Sequence, residues 1–374
     1  MQKSKNFFYK ILIIFILIPS FGCYTDQIKL IGEKHTTTTN DGWDIVLENF
    51  KPLNGAPKRK YPVIICHGLI GNRHYFKIRE EESIVYRLRA EGYDVWLLDL
   101  RNREDSLVKA SIYYGKNKYN EITVDTYANE DAEKAISYVL EKTKSEKVNW
   151  IGHSMGGLLA YIRLGFSDET RIANLVTIAS PMYFNKPFTK KVNSLDNYGF
   201  LVNSDFMNLV QPVVPTGSMS RFNGYFRVGR IEIPLPFSRL FYYEENSTLQ
   251  DVLRLKRYST NNESSKVMRQ FSDSLKEGEF SSFKKGTNYT TGLESIQVPT
   301  FLIGGRRDHL ASPYSIRKTY EQLGAKSTDK EMLIAGRAEG HAEDYGHVDL
   351  IIGKNVDNDI NIPIAKWLNK RNSL

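Results

Sequence analysis

Hydrophobic positions follow two rhythms along most of the chain. Tyr61–Cys66 (Tyr-Pro-Val-Ile-Ile-Cys) and Tyr93–Leu98 are short apolar runs bounded by turn residues, and Val148–Ile151, Leu175–Ala179, Val298–Ile303 and Glu331–Ala335 repeat the pattern. Runs of that length suit strands buried on both faces of a parallel sheet. Between them the spacing turns helical. Glu81–Glu91 places Ile84, Val85 and Leu88 on one face and stops at Gly92. Asp131–Lys142 repeats Ala132, Ala135, Ile136, Val139 and Leu140, and Met155–Leu164 and Ser315–Leu323 complete the set. Strands alternating with helices predict an α/β fold with a mostly parallel, doubly wound sheet. Ahead of it, the turn pair Asp41-Gly42 and the alternation in Trp43–Phe50 predict a strand of an opening hairpin. The polar stretch before that, 23–40, reads as a tether.

The rhythm breaks between 182 and 294. This stretch is irregular and aromatic (Phe184, Phe188, Tyr198, Phe200, Tyr242, Tyr243), with only short helical patterns at Leu249–Tyr258 and Ser264–Phe271. The α/β rhythm then resumes. The layout is therefore a core of 41–181 and 295–374 with a cap, 182–294, inserted between two late strands. Gln211–Gly217 and Ile233–Pro236 read as rigid loops and candidate hinges. With 374 residues, 41% hydrophobic and 25% charged, the chain has the balance of a globular protein and can hold one large α/β domain with an insertion.

The first 22 residues stand apart. Lys3, Lys5 and Lys10 precede the unbroken apolar run Ile11–Ile18, and Pro19-Ser20-Phe21-Gly22-Cys23 follows. This is the pattern of a cleaved secretory signal, and the run is too short to span a bilayer. Ser20-Phe21-Gly22-Cys23 resembles the lipobox of bacterial lipoproteins. That resemblance implies an exported chain lipidated on Cys23 and anchored to a membrane of the cell envelope, with plain secretion as the alternative. Ser20 stands where that box usually has an aliphatic residue. The two cysteines, Cys23 and Cys66, provide no disulfide framework. The net charge of +8 is scattered, with Lys58-Arg59-Lys60 the one tight cluster, so no nucleic-acid partner is expected.

The chemistry begins at Gly152-His153-Ser154-Met155-Gly156, with Gly157 after it. This is G-x-S-x-G between a predicted strand and a predicted helix, the setting a nucleophile elbow requires. The sharp turn exposes the Ser154 hydroxyl at the strand's end, and His153 is expected to point away from the reaction. Together with Cys66-His67-Gly68-Leu69-Ile70-Gly71-Asn72, Glu91–Leu97 and Tyr345-Gly346-His347-Val348-Asp349, the chain resembles the α/β-hydrolases, more narrowly the acid-lipase branch of serine esterases and lipases. The resemblance covers Trp43 to Leu368 apart from the cap.

The chain order of such a triad is serine, acid, histidine. Asp308, in a loop after Val298–Ile303, and His347, in the final loop, fit it. Asp308 could instead cap its turn, and His341, His309 and His153 compete with His347. The oxyanion donors are expected to be the amides of Met155, the residue after the nucleophile, and Leu69, beside the His67-Gly68 pair. Asp99 and Arg101 are expected to form structural ion pairs. The seven histidines show no zinc spacing, so neither a metal nor another cofactor is expected. The implied activity is hydrolysis of hydrophobic small-molecule or lipid esters. Acyl transfer through the same serine, or an inactive binding lipoprotein, are the alternatives. Related polymer synthases carry Cys at the elbow, where this chain has Ser154.

Overall fold

The computed structural model describes residues 28–103, 121–184, 213–214, 216–225, 242–324 and 329–372. The first 27 residues with Cys23, the Ile233–Pro236 segment, and Phe188, Tyr198 and Phe200 of the expected cap lie outside these ranges. Ten strands are described: β1 Glu33–Thr38, β2 Asp44–Phe50, β3 Val63–Cys66, β4 Val95–Asp99, β5 Val148–His153, β6 Ile172–Ile178, β7 Val213–Val214, β8 Glu263–Ser264, β9 Thr300–Gly305 and β10 Lys330–Ala335. Eight form one sheet in the order β1-β2-β4-β3-β5-β6-β9-β10. β1 and β2, and β2 and β4, pair antiparallel, while the remaining neighbours are parallel. The apolar runs in the middle of the sheet are buried, as Val63–Cys66 and Val95–Asp99 show. Glu331–Ala335 departs from the expectation: it lies in β10, the edge strand, where Glu331 is exposed and only Ile334 and Ala335 are buried.

The helices that carry the argument are α1 Ile84–Ala90, α2 Glu133–Thr143, α3 Met155–Phe166, α4 Thr216–Tyr225, α5 Leu249–Tyr258, α6 Ser265–Glu277, α7 Pro313–Gln322 and α8 Ile362–Asn369. The crossover β3–α1–β4 runs toward one edge of the sheet, and β4–α2–β5 runs back past β3 toward the other. Right-handed crossovers in opposite directions place their helices on opposite faces. The strand order therefore reverses between β3 and β5. Loops from the carboxyl ends of two such strands face a common crevice. Here those loops are His67–Asn72 and the Ser154 turn.

The expected tether is shorter than 23–40. Glu33–Thr38 pairs along its length with β2. Its threonines are β-branched and favour extended backbone. Its exposed, polar faces suit an edge strand. β6 and β9 are sheet neighbours, and the stretch of chain between them carries β7, β8 and α4 to α6. Within it, Gln211–Gly217 is not simply loop. Val213–Val214 pairs with β8, and Thr216 opens α4.

Candidate active site

β5 ends at His153 and α3 begins at Met155, so Ser154 alone turns the chain. Its backbone adopts φ 52° and ψ −120°, a conformation costing about 1–3 kcal/mol. The flanking glycines make the turn sterically possible. A Cβ on Gly152 would lie 2.3 Å from the Gly157 nitrogen, and one on Gly156 would lie 2.3 Å from the Cys66 carbonyl oxygen. The first turn of α3 can thus rest on β3 and β5. The Met155 N–H, at the first position of α3, points out of the helix's N-terminal end, where amides lack intrahelical partners.

His347 lies in the loop after β10 and is buried. Its Nδ1 is 2.8 Å from Asp308 Oδ2. The other carboxylate oxygen, Oδ1, accepts from the Leu310 and Ala311 amides, both at 2.8 Å. Asp308 therefore does both things the sequence left open: it caps its turn with one oxygen and holds the imidazole with the other. His309 is exposed, and His341 is bonded to the backbone of Gly336. Ser154 and His347 line one cavity of about 190 Å³. Leu69, Phe184, Met268, Phe271 and Leu275 supply much of its apolar wall.

The loop after β3 lies directly on Ser154. A Cβ on Gly68 would come within 2.8 Å of the Ser154 Cβ. His67 is fully buried, and burial holds its pKa down at about 4, with the Arg103 charge adding to the shift. It is therefore neutral. Its Nε2 accepts from the Leu100 amide at 3.3 Å, so Nδ1 carries the proton and donates to the Gly68 carbonyl at 2.9 Å. The Gly71 amide donates to the same carbonyl. In a trans peptide the C=O and N–H point in opposite directions. Anchoring the Gly68 carbonyl in the protein thus turns the Leu69 N–H the other way. The amides on either side are engaged, Gly68 with Tyr75 Oη at 2.7 Å and Ile70 with Glu263 Oε2 at 3.3 Å.

His153 departs from expectation. It does not point away but packs beneath the site, its ring 4.8 Å from that of His347. Burial pushes its pKa well below the ordinary histidine value, and His347 beside it pushes the same way. Its Nε2 lies 3.0 Å from the His347 carbonyl oxygen, which can only accept, so Nδ1 accepts from the Tyr75 hydroxyl at 3.0 Å. A buried chain of hydrogen bonds therefore runs from the Gly68 amide through Tyr75 and His153 to the backbone of His347. Tyr75 carries no local sequence signal, because its partners lie 7 and 78 positions away. Asp99 and Arg101 behave as expected. Asp99 pairs with Arg73, and Arg101 with Asp131 at 2.6 Å and with Asp41.

The inserted section touches both loops. Asp349, two residues past His347, accepts from the Tyr243 amide and the Ser247 hydroxyl, each at 2.6 Å. Asn246 donates to the Asp344 carbonyl at 2.9 Å. On the other side, Gly71 forms an antiparallel bridge with Thr260. Among the described residues, no group of three or more His, Cys, Asp or Glu is placed to hold a metal ion.

The alpha/beta hydrolase fold family matches residues 61–354. A poly(3-hydroxyalkanoate) polymerase subunit of Thiocystis violacea is 20% identical over 87% of this chain and 86% of its own length. Human lipase member K is 23% identical over 88% of this chain and 85% of its own. Among solved structures, a soluble variant of the Saccharomyces cerevisiae monoglyceride lipase superposes with a TM-score of 0.57 at 13% identity, covering 93% of this chain and 98% of that one. An esterase from Exiguobacterium antarcticum gives 0.53 at 18% identity, covering 90% and 97%.

Proposed function

This chain belongs to the alpha/beta hydrolase family, and from that premise we propose that it is a serine carboxylester hydrolase of the esterase and lipase type, acting on hydrophobic acyl esters. The observation that carries the reading is one cavity lined both by a serine on a strained strand-to-helix turn and by a histidine held by a buried carboxylate. In this reading His347 takes the proton of Ser154 as the hydroxyl attacks the ester carbonyl. Asp308 fixes the imidazole with its proton on Nδ1, leaving Nε2 as the base, and stabilises the imidazolium that forms. The Leu69 and Met155 amides receive the oxyanion. His347 then protonates the departing alcohol and activates the water that releases the acid. The apolar lining favours a hydrocarbon acyl group. The likeness to lipases, among them human lipase member K and a gastric triacylglycerol lipase of Rattus norvegicus, agrees with an ester substrate.

A second reading is acyl transfer to an acceptor other than water, favoured by the likeness to the polymerase subunit over most of both chains. The acyl-enzyme is common to both, so the acceptor alone separates them. One assay addresses both readings: p-nitrophenyl esters from short to long acyl chains, with Ser154→Ala beside the wild type, and product analysis with and without added alcohol. Activity that rises with chain length and vanishes in Ser154→Ala supports the hydrolase. Product that goes mainly to the acceptor supports transfer. Activity unchanged in Ser154→Ala refutes the mechanism.

We also propose that the chain is exported and lipidated on Cys23, on the strength of the basic and apolar leader ending at that residue. Among the described residues no helix is long and apolar enough to cross a membrane.

A further inference from the structure

Ile70 is a β-branched residue at φ 55°, a region such side chains rarely enter. It directly follows Leu69, whose amide is assigned above to the oxyanion. Both of its backbone polar groups are met by the inserted section. Its N–H donates to Glu263 Oε2 at 3.3 Å, and its carbonyl accepts from the Asn261 N–H at 2.6 Å. The next two residues are held from the same side: Gly71 bridges Thr260, and the Asn72 side chain donates to the Tyr258 carbonyl at 2.9 Å and to Asn261 Oδ1 at 2.6 Å.

Glu263 is fully buried. A carboxylate in that position is costly unless every lone-pair direction is answered. It is answered by the Ile70 and Ser264 amides, Arg103 Nη2 at 2.7 Å and the Tyr127 hydroxyl at 2.7 Å. Burial pushes the carboxyl up, but the Arg103 charge and the hydrogen bonds from Arg103, Tyr127 and Ser264 outweigh it and hold the group below the ordinary range. The ionised group is a fixed acceptor on β8, and β8 is the strand that carries the inserted section past the loop.

We propose that Glu263 is a positioning residue for the oxyanion: it holds Ile70 in its left-handed conformation and thereby fixes the direction of the Leu69 amide. The link is geometric. The Leu69 N–H is turned toward the cavity by what binds the Gly68 carbonyl, and one of those donors is the Gly71 amide. Releasing Ile70 lets it relax to negative φ, and that rotation carries Gly71 away from Gly68. Upstream, Tyr75 and His67 hold the loop from within the core. Downstream, its hold comes from the inserted section. The inference rests on the reading of the site as a serine ester hydrolase with Leu69 as a donor.

The test is steady-state kinetics on a p-nitrophenyl ester for Glu263→Asp and Glu263→Gln, each with and without Ile70→Gly, with near-UV circular dichroism as the check on folding. Aspartate keeps the charge facing Arg103 while drawing the carboxylate back from Ile70 by one methylene, so it remains informative if the glutamine variant misfolds. Losing an oxyanion donor outright costs about 10²–10³ in turnover. A misdirected donor is expected to cost about 10-fold or more in kcat, with KM within about twofold of wild type. Glycine takes the left-handed conformation unaided, so adding Ile70→Gly is expected to return most of the lost kcat. A purely structural role for Glu263 predicts the reverse, a further loss from the second substitution. Folded Glu263→Asp with wild-type kcat, or a loss that Ile70→Gly deepens, overturns this proposal alone. Absent wild-type activity, or activity that survives Ser154→Ala, overturns the parent reading and this one with it.

Discussion

Asp308→Asn is the sharpest single test of the proposed triad, because the structure dictates which way the new amide must face. In the wild type, Oδ1 accepts from the Leu310 and Ala311 amides and Oδ2 faces His347 Nδ1. An asparagine keeps the first two bonds only by leaving its oxygen in place, which aims its NH₂ at His347. The imidazole must then accept at Nδ1 and carry its proton on Nε2, the nitrogen required as a base. The opposite flip would set an NH₂ group against two amides, one part-buried and one buried, at about 1–3 kcal/mol for each lost bond. A bias of about 2–6 kcal/mol corresponds to roughly 30-fold to 10⁴-fold in favour of the inactive tautomer. Loss of the charge facing the imidazolium adds to this, and the same exchange in a Ser-His-Asp triad costs about 10⁴ in kcat. The expectation is therefore a fall of about 10³–10⁴ with KM little changed and the melting temperature nearly preserved. The assay is p-nitrophenyl ester turnover beside a thermal melt. A folded Asp308→Asn variant within about threefold of wild-type kcat would refute the reasoning and leave Asp308 as a turn cap.

Three further outcomes are expected. Tyr75→Phe leaves the Gly68 amide and His153 Nδ1 without their shared partner. It should cost about 1–3 kcal/mol in urea titrations together with a fall in kcat, and unchanged values for both would remove Tyr75 from the support of the site. His67 has its pKa held down at about 4 in the fold against an ordinary 6.5, so on acidification the unfolded chain takes up a proton that the folded one refuses. Its contribution, up to about 3 kcal/mol, is complete above pH about 6.5 and is lost as pH falls toward 4; urea midpoints at pH 7.5 and 4.5 should show this loss, and His67→Gln should flatten it. Cys23→Ser, expressed in a bacterium that processes lipoproteins, should move the protein from the membrane fraction to the soluble one and abolish fatty-acid labelling, whereas equal partition of the two forms would sink the anchor.

The parts of the site that chemistry packs into consecutive residues are readable in the sequence. The elbow is one, because its serine, its glycines and the strand and helix around it must be neighbours for the turn to close. Asp308 and His347 are readable less directly, through chain order and the strands they follow. What the sequence hides is support that acts across long separations. Glu263 reaches Ile70 over 193 positions, and no local pattern marks a carboxylate destined for a backbone amide. The backbone strain at Ile70 is invisible for the same reason, since isoleucine there reads as an ordinary apolar residue. His153 escapes the motif because the motif fixes its place in the turn but not the buried acceptor, the His347 carbonyl, that draws its ring under the site. The edge strand Glu33–Thr38 escapes notice because its polar, exposed positions lack the apolar face by which strands are recognised.

The returning limb of the inserted section is tied to the histidine loop through Asn246 and Asp349, and to the loop beside Ser154 through Tyr258, Asn261 and Glu263. The same limb contributes Leu255, Met268, Phe271 and Leu275 to the wall of the cavity. Under the proposed function, what the protein accepts and how fast it turns over are thus written into one stretch of chain. On the proposed reading, a lineage that remodels this stretch to take a new ester also disturbs the loops beside Ser154 and His347. Grafting a cap from a relative would for that reason shift rate and preference together, and new specificity would come most readily from changes in side chains that line the cavity without bonding to either loop.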